Sequence, residues 1–314
     1  MSKTGYVWDP IYLGHFTSTI HVEIPKRAEV LDVKIMKKDL PGLIHIPIVP
    51  ILGKAWAQSV HTEAYIDEVL SACKNNVPHL DSGDTKIRSD SYEVAMQSIS
   101  GSLSLLGAIA RGELNNGFAA NRPPGHHAGV QHARGFCIFN NVAICARYAQ
   151  KRFDLKRILI IDWDVHPGDG TAGIFYEDQN VHVVSIHQDN IFTDKVGLVD
   201  QNGKGAGEGT TYNKPLPKRS NEIEYLRALE PLLNKAATRC KPDLILISCG
   251  FDAHQSDPLG GMLLSAESFK KFTILVKDIA NEYCGGKIVS LLEGGYNNNV
   301  LPNCVRAHLE ALMD

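Results

Sequence analysis

Short apolar runs recur through the chain and limit the folds open to it. They are rich in Ile, Val and Leu and do not alternate with polar residues: Ile158–Ile161, Val181–Ile186, Leu244–Ile247 and Ile288–Leu292. Strands that are buried on both faces have this pattern, as in a parallel sheet. We therefore predict a parallel sheet that is covered on both sides.

Longer segments with helical spacing lie between or beside these runs: Tyr92–Arg111, Asn141–Arg152, Glu222–Arg239, Ala266–Tyr283 and Val300–Met313. Strands that alternate with helices indicate right-handed βαβ units. The predicted fold is α/β: a single domain over residues 1–314, with an open, mostly parallel sheet and helices on both faces. We also predict a capping box that starts at Asp90 and an N-cap at Ser265.

The composition excludes several classes of protein. The net charge is −3 and there is no run of Lys or Arg, so neither nucleic acid nor a membrane surface is an expected partner. The first residues lack an apolar signal core, and no apolar stretch approaches the roughly 18 residues of a membrane helix. The seven cysteines include no CxxC pair, which favours buried thiols in a reducing cytosol. We expect a cytoplasmic protein.

Five strand-like runs end on residues that can hold a metal or move a proton. These ends are Arg122–His127, Asp162–Asp169, His187, Phe251–His254 and Glu293–Tyr296. In an open parallel α/β sheet the carboxyl ends of the strands form one rim, and ligands bind in the crevice outside it. The five ends should therefore meet in space, and their chemistry predicts a metal-dependent hydrolase.

The segment 160–170, IIDWDVHPGDG, is the most specific of these ends. Asp164 and His166 offer an oxygen and a nitrogen, and Asp252 could add a second carboxylate. Three protein ligands with a free position suit a catalytic Zn²⁺, and Fe²⁺ fits the same set. Taken alone, the segment would be an ordinary strand end with solvated carboxylates. Four other polar strand ends favour the metal site.

His126 and His127 follow the rigid turn RPPG, so both can lie over a metal site. One could act as general base and acid, and each would need a carboxylate on its other ring nitrogen. Asp162 and Asp169 are the candidates for these carboxylates. In isolation, two surface histidines on a turn would be the simpler interpretation.

Tyr296 follows two glycines, which allow a close backbone approach and can turn the phenol across the rim. A tyrosine hydroxyl can donate to a developing oxyanion. A tyrosine after such a turn is also commonly a packing residue, so this signal is weak on its own.

Together these motifs resemble the histone deacetylase family, within the arginase–deacetylase superfamily. The resemblance runs nearly from end to end, through HVEIPKR (21–27), HTEAYIDEV (61–69), RPPGHHA (122–128), GFCIFNNVA (135–143), IDWDVHPGDGT (161–171), VSIHQ (184–188), GFDAHQSDPLGG (250–261) and LEGGYN (292–297). The RPPGHH and LEGGYN forms are similar to class II deacetylases and to their bacterial and acetylpolyamine relatives.

The resemblance implies a role for each polar residue. It implies a zinc site formed by Asp164, His166 and Asp252. It implies two histidine–carboxylate pairs, His126 with Asp162 and His127 with Asp169. It also implies that Tyr296 stabilises the tetrahedral intermediate. His127 would be the general base and acid, with water on the metal as the nucleophile. Gly135 and Phe136 would line an acyl-lysine tunnel, with Phe192 as its opposite wall. A structural K⁺ would be bound by Asp162, Asp164, His166 and the backbone of Ser185 and Ile186.

The chain departs from the family pattern at three places. Pro167 replaces a second histidine, for which we expect a local backbone effect. Asp169 replaces an asparagine usual in class II and should raise the basicity of His127. The loop 192–197, FTDKVG, lacks the usual Pro-Gly-Thr-Gly turn, which leaves the rim shape and the substrate choice open.

The expected function is zinc-dependent hydrolysis of N-acetyl or N-acyl lysine side chains in peptides and proteins. Tyr296 favours real activity over the weak activity of relatives with histidine there. Leu259 stands where polyamine-selective relatives carry a glutamate, so an acyl-lysine is favoured over an acetylpolyamine. The alternatives are an acetylpolyamine or other small-molecule amide deacetylase, a non-catalytic acyl-lysine binding protein and, more distantly, a binuclear manganese ureohydrolase. The sequence leaves the oligomeric state open.

Overall fold

The structure is a computed structural model that describes residues 2–18, 20–50, 52–192 and 195–314. Within these residues eight strands form one sheet, in which every paired neighbour is parallel. The strands are β1 (Thr4–Val7), β2 (Ile44–His45), β3 (Asn116–Ala119), β4 (Ile158–Asp162), β5 (Val181–Gln188), β6 (Thr211–Leu216), β7 (Leu244–Cys249) and β8 (Ile288–Leu292). Across the sheet their order is β2-β1-β3-β8-β7-β4-β5-β6.

The described part of the chain also contains ten α-helices. They are α1 (Lys26–Glu29), α2 (Val33–Asp39), α3 (Leu52–Ala57), α4 (Glu63–Lys74), α5 (Ser91–Ala110), α6 (Asn141–Phe153), α7 (Asp169–Ile174), α8 (Glu222–Cys240), α9 (Ala266–Cys284) and α10 (Leu301–Met313). The five predicted helices are all present, with bounds within one residue of those expected. The predicted α/β fold with a parallel sheet is confirmed, and the assignment of residues 1–314 to one domain stays a prediction.

Alternate residues of the central strands enter two separate apolar cores. In β7, Ile245 and Ile247 pack in the core that includes residues of α8, α9 and α10. Leu244 and Leu246 pack in the core that includes residues of α5 and α6. Helices therefore cover both faces, and a strand buried on both faces has no polar position to alternate with. This explains the apolar runs in the sequence.

The two predicted helix caps have different outcomes. At the start of α9, the backbone N–H of Ser265 donates to Oγ of Ser268 at 3.2 Å, within a capping box. The capping box predicted at Asp90 is wrong. Asp90 already has helical backbone angles (φ −88°, ψ −11°), and its side chain makes no cap hydrogen bond. Ser91 Oγ instead accepts from the N–H of Arg88 at 2.9 Å.

The cysteines and the helices agree with the composition. All seven cysteine side chains are buried free thiols, as predicted. Of the helices in the described residues, none combines the length and the apolar character needed to cross a bilayer.

Five adjacent strands carry the polar ends that the sequence singles out. Across the sheet these strands are β3-β8-β7-β4-β5. The strand registers place the carboxyl ends at one edge, since Asp162 at the end of β4 is paired with Ser185, three residues before the end of β5, and with Ser248, one residue before the end of β7. Parallel strands present the segments that follow them at this edge. Side chains from five distant parts of the sequence therefore meet in one crevice.

Candidate metal and catalytic site

Asp164, His166 and Asp252 lie close enough together to hold one cation. Nδ1 of His166 is 3.0 Å from Oδ1 of Asp164 and 3.2 Å from Oδ2 of Asp252. One such atom from each residue lies within 4.8 Å of the others. Oδ2 of Asp252 is buried and accepts no hydrogen bond in the described structure, because Nδ1 of His166 is paired with Asp164 instead. An orphaned carboxylate oxygen beside a second carboxylate and an imidazole fits a divalent cation.

Backbone groups fix both carboxylates. Oδ2 of Asp164 accepts from the N–H of Gly294 at 2.8 Å, and Oδ1 of Asp252 accepts from the N–H of Val165 at 2.8 Å. A Cβ on Gly294 would collide with Oδ2 of both aspartates. The close backbone approach predicted for the Gly-Gly pair is thus present, and the backbone at Gly294 lies against the carboxylates of Asp164 and Asp252.

The cluster carries an excess of negative charge. Burial and the Asp164 carboxylate raise the pKa of Asp252 to about 7. Burial disfavours the charged form of His166, but Asp164 and Asp252 outweigh it and raise the pKa of the imidazole to about 10. Burial also opposes ionisation of Asp164, yet His126 and His166 hold its pKa well below the usual range. Such a cluster binds either a proton or a cation.

The rings of His126 and His127 lie side by side, with centroids 3.9 Å apart. Nδ1 of His126 is 2.9 Å from Oδ2 of Asp162, and Nδ1 of His127 is 2.6 Å from Oδ1 of Asp169. These are the two pairs predicted from the sequence. A carboxylate on Nδ1 places the proton there and leaves Nε2 for other chemistry.

The two histidines differ in charge. Burial lowers the pKa of both, but the carboxylates of Asp162 and Asp164 raise that of His126 well above its usual value. Burial and the positive charge on His126 lower the pKa of His127 to about 4. Asp169 acts to raise the basicity of His127, as predicted, but does not offset these two effects. At neutral pH a neutral His127 therefore stands beside a charged His126.

Tyr296 is buried near the Asp164–His166–Asp252 cluster. Its ring packs edge-on against Phe136 at 5.6 Å between centroids, and the Arg27 guanidinium lies 4.8 Å from its ring centre. The preceding Gly295 has φ of +116°, a conformation that L side chains rarely adopt. Burial raises the pKa of the phenol well above its usual value, and nearby Asp252 adds to this. The hydroxyl is thus a hydrogen-bond donor at neutral pH.

Two segments that carry aromatic rings, the turn at Gly135 and Phe136 and the segment at Phe192, border the histidines of the site. Gly135 and Phe136 form a tight turn with φ of +54° and +70°. A Cβ on Gly135 would meet the ring of His127 at 2.5 Å, so the turn lies directly against the tandem histidines. The ring of Phe192 packs against His127 at 5.2 Å and against His166 at 5.4 Å. The predicted tunnel residues therefore border the predicted catalytic residues.

The other predicted residues lie at the edges of this site. Leu259 is exposed, and its N–H donates to Asp257 Oδ1 at 2.9 Å. Ser185 pairs with Asp162 across the β4–β5 register, and Ile186 follows it in β5. Their assignment to a K⁺ site stays a prediction. In the loop 192–197, Thr193 and Asp194 lie outside the described residues.

Pro167 lies two residues before α7, and the local backbone effect expected of it stays a prediction. Its carbonyl accepts from the N–H of Asp169 at 2.8 Å, which forms a tight turn before α7. It also lines two neighbouring cavities of about 300 and 310 Å³ that both reach Gly197.

Sequence reasoning gave no role to a set of buried charges behind the site. Glu293 Oε2 accepts from the backbone N–H of Gly125 at 2.7 Å and of His126 at 3.1 Å, so it fixes the turn that carries the histidines. Glu23 accepts from Arg122 Nε at 2.7 Å and from Arg27 Nη1 at 3.1 Å. These residues stand inside the motifs quoted above, but nothing in the local pattern says whom they contact.

The rim of this parallel sheet carries an Asp-His-Asp cluster that could hold a metal, paired histidines and a tyrosine, which is the arrangement of a hydrolase site. Comparison with known proteins agrees with that class. The model of the histone deacetylase domain matches residues 21–312. The crystal structure of the HDA15 HD domain superposes with a TM-score of 0.88 at 32% identity, over 99% of this chain and 89% of that one.

Two curated relatives illustrate the extent of the similarity. A histone deacetylase-like amidohydrolase of Pseudomonas aeruginosa is 33% identical over 309 residues, which are 98% of this chain and 79% of that protein. Histone deacetylase 10, chloroplastic, of Oryza sativa is 45% identical over 197 residues, which are 63% of this chain and 44% of that protein. The match thus spans less than half the length of the rice relative. The chain belongs to the histone deacetylase family.

Proposed function

We propose that the protein is a Zn²⁺-dependent amidohydrolase that removes acetyl or related acyl groups from lysine side chains of peptides or proteins. The observation that carries the proposal is the crevice itself. It combines the buried Asp164–His166–Asp252 cluster with a neutral histidine, His127, that is paired with the carboxylate of Asp169. Its third part is the protonated Tyr296, whose ring packs against Phe136. Membership in the deacetylase family supports the reaction class.

Asp164, His166 and Asp252 would hold the cation. When bound, a divalent cation at this position polarises the amide carbonyl and lowers the pKa of a water molecule. An Asp₂His set accepts Zn²⁺ and Fe²⁺ alike, so the proposal names Zn²⁺ and metal analysis of purified protein tests it. The proposal also includes a structural K⁺ held near β4 by Asp162, Asp164, His166 and the backbone of Ser185 and Ile186.

His127 would move the proton. Its neutral Nε2 can accept a proton from the attacking water, and the Asp169 carboxylate on Nδ1 stabilises the imidazolium that results. The same nitrogen then donates the proton to the lysine nitrogen that leaves. General acid–base catalysis of this kind contributes about 10²–10⁴-fold in rate. The charged His126 and the Tyr296 hydroxyl would stabilise the oxyanion.

The rim favours an acyl-lysine. Phe136 and Phe192 offer aromatic faces to an alkyl chain, and Leu259 offers no charge to attract a polyamine. A panel of acetyl-lysine and longer acyl-lysine peptides, acetylputrescine and acetylspermidine tests this choice on zinc-loaded protein. Preferred turnover of the polyamines would favour the small-molecule alternative. Binding of acyl-lysine without hydrolysis of any acyl amide would favour the non-catalytic alternative.

Substitution of His127 tests the mechanism. We expect His127→Ala to reduce kcat by at least about 100-fold, because the base and acid are lost together. His45→Ala is the control, since this exposed histidine lies on β2 at the far edge of the sheet. Unchanged turnover in His127→Ala would contradict the proposal.

A further inference from the structure

The carboxylate of Asp169 bridges the imidazole of His127 and the guanidinium of Arg134. Oδ1 is 2.6 Å from Nδ1 of His127, and Oδ2 accepts from Nη1 of Arg134 at 2.8 Å. The Asp169 side chain is 12% exposed, whereas the equivalent carboxylate of the other pair, Asp162, is 1% exposed. A carboxylate in contact with solvent can accept hydrogen bonds from water instead of from its imidazole partner. Arg134 holds the second oxygen and so limits rotation of the group.

Arg134 also contacts the aromatic wall. Its guanidinium carbon lies 4.6 Å from the ring centre of Phe192, the ring that packs against both His127 and His166. A guanidinium over an aromatic face is attractive. One planar group is therefore in contact with the partner of His127 and with the ring beside it.

The main chain of Arg134 is fixed by the turn that carries the other tunnel residues. Its N–H donates to the carbonyl of Cys137 at 3.2 Å, and the N–H of Cys137 donates back to its carbonyl at 2.8 Å. These two bonds close the turn of Gly135 and Phe136. The side chain of Arg134 is therefore attached to a backbone segment that is already held against His127.

From this geometry we propose that Arg134 is a positioning residue for the His127–Asp169 pair. It keeps Oδ1 of Asp169 on Nδ1 of His127 and keeps Phe192 against the two imidazoles. The expected effect on catalysis rests on the proposed function, whereas the expected effect on the geometry of the His127–Asp169 pair rests on the contacts of Arg134. Arg134→Ala should therefore lower kcat about 10- to 100-fold, as loss of a group that orients a catalytic imidazole does, with KM changed much less.

The chain contains a matched control. Arg147 makes the same two kinds of contact, an ion pair of Nη1 with Asp178 at 2.6 Å and a guanidinium 4.7 Å from the ring centre of Phe175. Its side chain is 24% exposed, against 29% for Arg134. Arg147→Ala should leave kcat and KM at wild-type values. An equal loss in both variants would mean that Arg134 acts only through general stability.

Two measurements separate positioning from other roles. First, added guanidinium ion at millimolar concentration should restore part of kcat in Arg134→Ala but not in Arg134→Ala with Asp169→Asn, because the free cation needs the carboxylate. Absence of rescue together with a raised KM and a retained kcat would assign Arg134 to substrate binding and overturn the proposal. Arg134→Gln serves if the alanine variant folds poorly, which thermal unfolding will show.

Second, ¹⁵N-histidine NMR of the zinc-loaded protein reads the pair without turnover. The Nδ1–H signal of His127, assigned with His127→Gln, should shift in Arg134→Ala toward its position in Asp169→Asn and should stay in place in Arg147→Ala. A signal unchanged in Arg134→Ala would overturn the inference. If the wild-type protein hydrolyses no acyl amide, the proposed function fails, and this signal still decides whether Arg134 positions the pair.

Discussion

The backbone N–H of Tyr296 donates a 2.7 Å hydrogen bond to Oδ2 of Asp257. The other oxygen of the same carboxylate accepts from the N–H of Leu259 at 2.9 Å. One aspartate thus connects the proposed oxyanion donor to Leu259, the exposed residue that we propose to lie at the substrate entrance. Asp257 was absent from the residues predicted to act, although it stands in the SDPLGG part of a quoted motif.

Asp257→Asn should reduce kcat about tenfold, because an amide can accept one of the two backbone N–H groups but presents a donor to the other. The measurement is steady-state turnover of an acetyl-lysine peptide. Asp243→Asn is the control, since Asp243 also accepts a backbone N–H, that of Arg157 at 2.9 Å, at a position outside the crevice. Equal kcat in both variants would contradict a role for Asp257 in placing Tyr296.

Leu259→Glu should change the substrate preference. A carboxylate at the exposed Leu259 position attracts a cationic chain, so the ratio of kcat/KM for acetylspermidine to that for acetyl-lysine peptide should rise about tenfold. Leu259→Gln has nearly the same size without the charge and should leave the ratio near the wild-type value. A rise that is equal in both variants would attribute the effect to shape rather than to charge.

Gly294→Ala should weaken metal binding by at least about tenfold. The added methyl group would occupy the space of Oδ2 on both Asp252 and Asp164. Metal content after dialysis, together with the rise in Tm on adding Zn²⁺, measures the effect. Gly173→Ala is the matched control because a Cβ there meets no atom within 4 Å. A normal Zn²⁺-induced rise in Tm for Gly294→Ala would contradict the assignment of the cluster.

Glu23→Gln should alter how stability depends on pH. Burial opposes ionisation of Glu23, but Arg122 and the neighbouring cations lower its pKa from 4.5 to about 2. A carboxylate whose folded-state pKa is depressed stabilises the fold above its ordinary pKa, and this contribution is lost as the pH falls toward 2. A shift of this size corresponds to roughly 3 kcal/mol at pH 7.

Urea unfolding at a series of pH values measures this contribution. The free energy of unfolding of Glu23→Gln should lie below that of the wild type near neutral pH, and the two curves should converge in acid. Glu113→Gln, which changes an exposed ion pair with Arg111, should follow the wild type throughout. Parallel curves for wild type and Glu23→Gln would contradict the prediction.

The strands and the groups at their ends were predictable because both signals are local. The run before Asp162 is apolar on both faces, and Asp164 and His166 follow it directly. The pairs His126–Asp162 and His127–Asp169 were predicted from the resemblance and from the chemistry of imidazole, and the structure brings each pair within hydrogen-bond distance. The failed cap at Asp90 shows the limit of a local rule, since Asp90 lies inside a turn that the N–H of Ser91 closes on the carbonyl of Arg88 at 3.1 Å.

The buried charges were beyond local patterns. Glu23 meets Arg122 across 99 residues of sequence, and Arg27 donates to the carbonyl of Gly295 across 268 residues. A charged residue in a sequence is usually on the surface, so nothing nearby marked these three as buried. The contact of Arg134 with Asp169 was also missed, although Asp169 stands inside a quoted motif and Arg134 directly before another.

Strand β8 lies between β3 and β7 in the sheet although it is the last strand of the chain. Within the described residues, β8 is the strand that joins β2-β1-β3 to β7-β4-β5-β6. Glu293, Gly294 and Tyr296 follow β8 directly, so the strand at this junction also delivers three residues to the crevice. A change that disturbed β8 would therefore separate His126 and His127, which follow β3, from Asp164 and Asp252, which follow β4 and β7.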